Sequence, residues 1–144
     1  MILLDTNVVS EFVKMDPDGR VRAWLNARSL RDCYICTPVV AELRHGAAML
    51  PCGRRRDDLL EWYELLESET FVRRILDFDR RAAHRYAEIR ARRGRVGKPI
   101  SVMDGAIAAI ASVHSMTLAT RNVRDFGDLE IPLVDPFAAR TFDP

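Results

Sequence analysis

The 144-residue sequence has no long apolar run, few cysteines and almost no lysine, and each shortage removes a class of protein. Its longest weakly polar stretch, Ile100 to Met116, is broken by Asp104, His114 and three serines, so no segment reads as a membrane span. The opening Met1-Ile2-Leu3-Leu4-Asp5 has no basic residues ahead of its apolar run and reaches an acid after four residues. That pattern does not suit a signal peptide, and the expectation is a cytoplasmic protein. Three cysteines, an odd count, do not make a disulfide framework. Cys33 and Cys36 form a C-x-x-C around Tyr34-Ile35, in a segment with the character of a buried strand. Side chains three apart on a strand point to opposite faces and do not share a metal. His45, His84 and His114 show no zinc-ligand spacing with one another or with cysteine. There is also no Ser, Gly, Gln or Pro tract, and with 48% hydrophobic and 30% charged residues the composition is that of a folded chain. A chain of this length buries about two-thirds of its unfolded surface in one core, so residues 1–144 are expected to form a single domain.

The net charge of +1 gives no strong global attraction for nucleic acid, but the basic residues are unusual in kind. Only Lys14 and Lys98 of the 22 are lysine; arginines cluster at 54–56, 73–74, 80–81 and 90–95. Guanidinium groups grip phosphate bidentately, so the clusters suit a nucleic-acid path; they equally suit solvated helix faces.

Short apolar segments alternate with helical periodicity. Ile2-Leu3-Leu4 reads as a strand, followed by a helix or helical turn over Thr6 to Lys14 and a second helix from Asp18-Gly19. Cys33 to Cys36 is a strand, and Thr37-Pro38 reads as a helix start with Thr37 as the cap, running to about Leu50. A helix over Arg56 to Glu69, a strand at Ile75 to Phe78, and a helix capped by Asp79 and running to Arg93 follow. Gly94 to Pro99 is a loop, Ser101 opens a nearly apolar helix to about Ser115, and strands follow at Thr117 to Thr120 and Leu133-Val134. This alternation predicts a three-layer α/β/α domain around a parallel sheet.

Ligands of such sheets bind beyond the carboxyl ends of the strands, and acids collect there. Asp5 directly follows the first strand, Glu42 lies in the first turns of the helix after the second, Asp104 begins another helix, and Asn122 and Asp125 follow the fourth strand. Clustered carboxylates repel one another and favour a hard divalent cation such as Mg²⁺ or Mn²⁺ as counter-charge. Each acid also has an ordinary use. Asp5 suits a helix cap, Glu42 a buried ion pair with arginine, and Asp125 an exposed loop. Ser101-Val102-Met103-Asp104 matches a capping box, so capping and metal binding compete for Asp104.

The motifs resemble a known family. Leu3-Leu4-Asp5-Thr6-Asn7 followed by Ser10-Glu11 resembles the opening of PIN-domain nucleases, more closely VapC-type toxins and their FitB-like branch. The likeness continues in Thr37 to Leu43 with Gly46, in Asp104 to Ala109, and in Leu118 to Asn122 through Asp125-Phe126. It implies a PIN-like fold with about five parallel strands, a Mg²⁺ or Mn²⁺ site, RNA as substrate, a homodimer, and a cognate antitoxin with which a higher assembly forms. By the resemblance Asp5, Glu42 and Asp104 match the three core acids, and Thr6 the hydroxyl residue beside the first. The fourth position is shared between Asp125, taken as the acid, and Asn122, taken as a polar partner.

The expected chemistry is hydrolysis of an RNA phosphodiester by a metal-activated water. A phosphatase working through an aspartyl intermediate, as in haloacid-dehalogenase-like enzymes, needs a second aspartate two residues after the first, where this chain has Asn7. A catalytically weak module that binds RNA or protein remains the alternative.

Overall fold

A computed structural model describes residues 1–138. The chain begins with strand β1 (Ile2–Leu4), then a short helix α1 (Thr6–Val9) that tightens into a 3₁₀ turn, Ser10–Val13. The segment expected as a helix or helical turn to Lys14 divides here because Thr6, Val8 and Val9 are β-branched and Ser10 Oγ donates to the Thr6 carbonyl at 2.7 Å. Helix α2 (Gly19–Asn26) is capped by Asp18, and strand β2 (Cys33–Cys36) leads directly into α3 (Thr37–Ala48). Thr37 is thus the first helical residue rather than the cap. Its Oγ1 accepts from the Phe78 N–H at 3.1 Å and so is spent across the fold.

Helix α4 (Arg54–Leu65) widens into a π turn, Leu66–Thr70, before strand β3, which is only Ile75–Leu76. Helix α5 (Arg80–Arg95) passes through Gly94, expected as loop, and stops at Gly97. Gly97 has a φ of 69° and donates to the Gly94 carbonyl, while the Lys98 N–H returns to the Arg93 carbonyl, closing the helix end with a left-handed glycine. Helix α6 (Val102–Val113), strand β4 (Thr117–Ala119), a short helix α7 (Val123–Phe126) and strand β5 (Leu133–Val134) complete the described chain. Helix α7 was not expected from sequence; with four residues it has too little periodicity to register.

All five strands are parallel, in the order β3-β2-β1-β4-β5, and helices flank the sheet as expected for an α/β/α PIN-like fold. Leu3 and Leu4 of the central strand, Ile35, Leu118 and Ala119, and Ile107 to Ala111 of α6 are fully buried, so the sheet is covered on both faces. No helix among the described residues is long and apolar enough to cross a membrane.

Candidate active site

The strand order reverses direction between β1 and β4, since the chain builds outward from β1 to β2 and β3 on one side and to β4 and β5 on the other. At such a switch point the loops leaving adjacent strands splay apart and open a crevice at the carboxyl edge. Leu4 pairs with Ala119, so the next residues, Asp5 and Thr120, meet at that crevice.

Asp5 is 3% exposed. Its Oδ1 accepts the Thr6 N–H at 2.8 Å, and its Oδ2 accepts Asn7 Nδ2 at 2.8 Å and Thr120 Oγ1 at 2.6 Å. Burial raises the Asp5 carboxyl above its usual value; Thr120 and the Thr6 N–H pull it back, and the charges of Asp104 and Glu42 raise it further. Charges from α3 and α6 thus reach Asp5, the residue that follows β1. Thr6 Oγ1 donates to Glu42 Oε2, which ties α3 to the end of β1. Asp104 serves as part of the α6 cap: its N–H donates to Ser101 Oγ at 3.1 Å, and that hydroxyl donates to Asp104 Oδ2 at 2.7 Å. The capping reading and the site reading of Asp104 are thus compatible, because the cap engages one carboxylate oxygen and leaves Oδ1 free.

Asn122 and Asp125 sit at the start of α7 and are both exposed. The Asn122 N–H donates to Thr120 Oγ1 at 3.0 Å, linking it to Asp5 through one hydroxyl. The Asp125 side chain makes no hydrogen bond among the described residues and is not joined to the other acids.

Two positioning residues escaped the sequence reading. Thr120 is fully buried, and Asn7 bridges the crevice, donating to Asp5 and accepting the Arg121 N–H on Oδ1 at 3.1 Å. The signal available for both was their place in Asp5-Thr6-Asn7 and Thr120-Arg121-Asn122, the polar residues directly after paired strands.

Among the described residues no Lys or Arg forms an ion pair with Asp5, Glu42, Asp104 or Asp125. The expected alternative for Glu42, a buried pair with arginine, is absent there. Nor do any three His, Cys, Asp or Glu side chains among them form a ready-made metal clasp. The donor set nevertheless fits a hard cation that keeps much of its water. Asp5 Oδ1 has a lone pair left, and Glu42 Oε1 and Asp104 Oδ1 accept no hydrogen bond from the described residues. It does not fit zinc. Cys33 and Cys36 are free and buried, and the Cys36 thiol is pushed up to about 12 by burial and by the neighbouring Asp5 and Glu42 charges, which keeps it protonated. Two hollows of about 330 and 350 Å³ line α5, around Arg92 and Leu129 and around Arg81 and His84; neither includes a site acid.

Residues 2–131 match the family model described as PIN domain. The chain is 43% identical over 137 residues to Toxin FitB of Neisseria gonorrhoeae, covering 95% of this chain and 99% of that protein. It is 38% identical over 137 residues to the VapC ribonuclease Y4jK of Sinorhizobium fredii, covering 95% and 98%. A solved structure of FitAB bound to an IR36 DNA fragment superposes with a TM-score of 0.89 at 42% identity over 99% of both chains. From fold and sequence alike, the chain belongs to the PIN-domain family, and its likeness within it is to FitB and VapC proteins.

Proposed function

We propose that this protein is a Mg²⁺- or Mn²⁺-dependent endoribonuclease and the toxin of a type II toxin–antitoxin pair, acting in the cytoplasm. The observation that carries the reading is Asp5: a carboxylate buried at the sheet's switch point, facing the charges of Glu42 and Asp104, with no basic partner among the described residues. A charge so placed is costly unless a cation compensates it. The name ribonuclease borne by the Sinorhizobium relative supports RNA as the substrate, and the name toxin borne by the Neisseria relative supports a toxin's role, with an antitoxin as its partner. A homodimer, and a larger assembly with the antitoxin, are part of the same reading.

When bound, the divalent cation would supply Lewis-acid stabilisation of charge on the phosphodiester and acidify a water. Asp5, fixed by three donors, presents its remaining Oδ1 lone pair, and Asp104 presents Oδ1 from the first turn of α6. Glu42, held through Oε2 by Thr6, keeps Oε1 free to orient the attacking water and take its proton. Asn122 and Asp125 would complete the shell or assist a second ion from α7. Arginines at the rim would hold flanking phosphates.

The lack of a ready-made clasp of three acids among the described residues favours one second reading, a PIN-like module that binds RNA or protein without cutting. Purified protein incubated with total cellular RNA and Mg²⁺ or Mn²⁺ separates the two. The proposal expects fragments that vanish with EDTA and in folded Asp5→Asn and Asp104→Asn variants. Fragments that persist in both variants would place the chemistry elsewhere, and cation binding without any cleavage would favour the module.

A further inference from the structure

A patch of two aromatic rings and a guanidinium spans the gap between the helices that carry Glu42 and Asp104. Phe78, just after β3, is 39% exposed, and its N–H donates to Thr37 Oγ1 at the first residue of α3. Its ring meets Tyr86 of α5 edge to face, with centroids 5.7 Å apart at 88°. Tyr86 lies against Gly105, the neighbour of Asp104: a methyl on Gly105 would meet Tyr86 Cε2 at 3.0 Å and Arg90 Cδ at 3.4 Å. The missing side chain at 105 is what lets the ring and the arginine stem close on the start of α6. Arg90 donates to the Tyr86 hydroxyl at 3.2 Å, with its guanidinium 5.7 Å from the ring centre. Among the described residues no carboxylate pairs with Arg90.

A partly exposed aromatic ring and a guanidinium with no carboxylate partner among the described residues, both packed on Tyr86, match the two halves of a nucleotide, a base to stack and a phosphate to pair. We infer that Phe78, Tyr86 and Arg90 form a subsite that seats one nucleotide flanking the scissile bond, its base on the Phe78 ring and its phosphate on Arg90. The inference rests on the ribonuclease reading for the identity of its ligand. Every base has a stackable face, so the subsite selects an unpaired strand rather than a particular base. Tyr86 is a positioning residue, holding both Phe78 and Arg90 against α6.

The test is fluorescence anisotropy of a labelled single-stranded RNA with the full chain, in EDTA or Ca²⁺ to separate binding from cleavage. Matched RNAs carry one abasic position moved along the strand. Wild type should lose about tenfold in affinity at one abasic position, the scale of a single lost stack. Phe78→Leu should bind intact RNA about tenfold more weakly and be blind to that abasic position. Phe78→Tyr, which keeps a ring, should restore both, and Arg90→Lys should weaken binding with its fork gone. Wild-type affinity and abasic sensitivity retained in Phe78→Leu would overturn the subsite even if the enzyme cleaves RNA. The expected pattern in a protein that never cleaves would uphold the subsite and sink the ribonuclease reading. A Phe78→Leu protein that keeps RNA affinity but loses a cognate antitoxin would assign the patch to the protein partner and overturn it. No RNA affinity in either EDTA or Ca²⁺ would overturn it as well.

Discussion

Two buried acids near the start of the chain have opposite electrostatic fates. Burial alone would raise Glu11, yet hydrogen bonds from Lys14 and the Asp18 N–H, with the charges of Lys14 and Arg121, hold it below its usual value. It is satisfied within the protein. Asp5 has hydrogen bonds but no cation, and its value stays raised. A folded value above the unfolded one contributes stability that is full below the unfolded value and is lost as pH rises through the folded one. In metal-free protein the ionised Asp5 is therefore a liability at neutral and alkaline pH, which a bound cation relieves. Chelation should lower the melting temperature wherever Asp5 is ionised in the folded protein, and the loss should shrink as pH falls through its raised value. A cation at a hundredfold its Kd contributes about 2.7 kcal/mol, roughly 10 °C for a domain of this size. An effect that stays constant as pH is lowered through the acid range, measured by thermal denaturation with and without EDTA, would argue that Asp5 does not face the ion. Asp5 and Asp104 could be nominated from the sequence because one directly follows an apolar strand and the other lies in the first turn of an apolar helix, whereas Glu42, in the second turn of α3, stood out as a charge among apolar neighbours. Thr120 and Asn7 were not legible there, because a hydroxyl and an amide look like ordinary loop residues until β1 and β4 pair. The Thr120 to Asp5 hydrogen bond joins residues 115 apart.

At the level of elements, caps decide where the acids point. Ser101 holds the first turn of α6 and the Asp104 carboxylate at once. Ser101→Ala should cost about 1 kcal/mol, as the loss of a helix cap does, seen as a lower urea midpoint with unchanged slope. It should also weaken cation-dependent activity well beyond that loss, because Asp104 is freed to rotate; activity falling only in step with stability would reduce Ser101 to a plain cap. Element types were largely readable, since the apolar periodicities are strong, whereas their ends were not. Gly94 looked like the terminator of α5, but a glycine ends a helix only where the backbone turns left-handed, and that occurs at Gly97. Thr37 had the chemistry of a cap, yet β2 runs so directly into α3 that Cys36 takes the boundary position and the threonine hydroxyl serves Phe78. In both cases tertiary geometry chose between residues that local chemistry left equivalent.

For the molecule as a whole, the strand order is the link between fold and site. Placing β1 at the centre with β4 beside it puts Asp5 at the crevice, and the helices that follow β2 and precede β4 bring Glu42 and Asp104 to it. A sequence pattern announces parallel strands but not their order, so it nominates acids at strand ends without saying which of those ends stand side by side. In the proposed function these carboxylates share one divalent ion. Titration of Mn²⁺ into metal-free protein, followed by calorimetry or by the loss of the free-ion resonance signal, tests it most directly. Wild type should bind the ion, and folded Asp5→Asn and Asp104→Asn variants should each bind it at least tenfold more weakly, a loss of about 1.4 kcal/mol or more. Wild-type affinity in both variants would mean that Asp5 and Asp104 do not hold the ion.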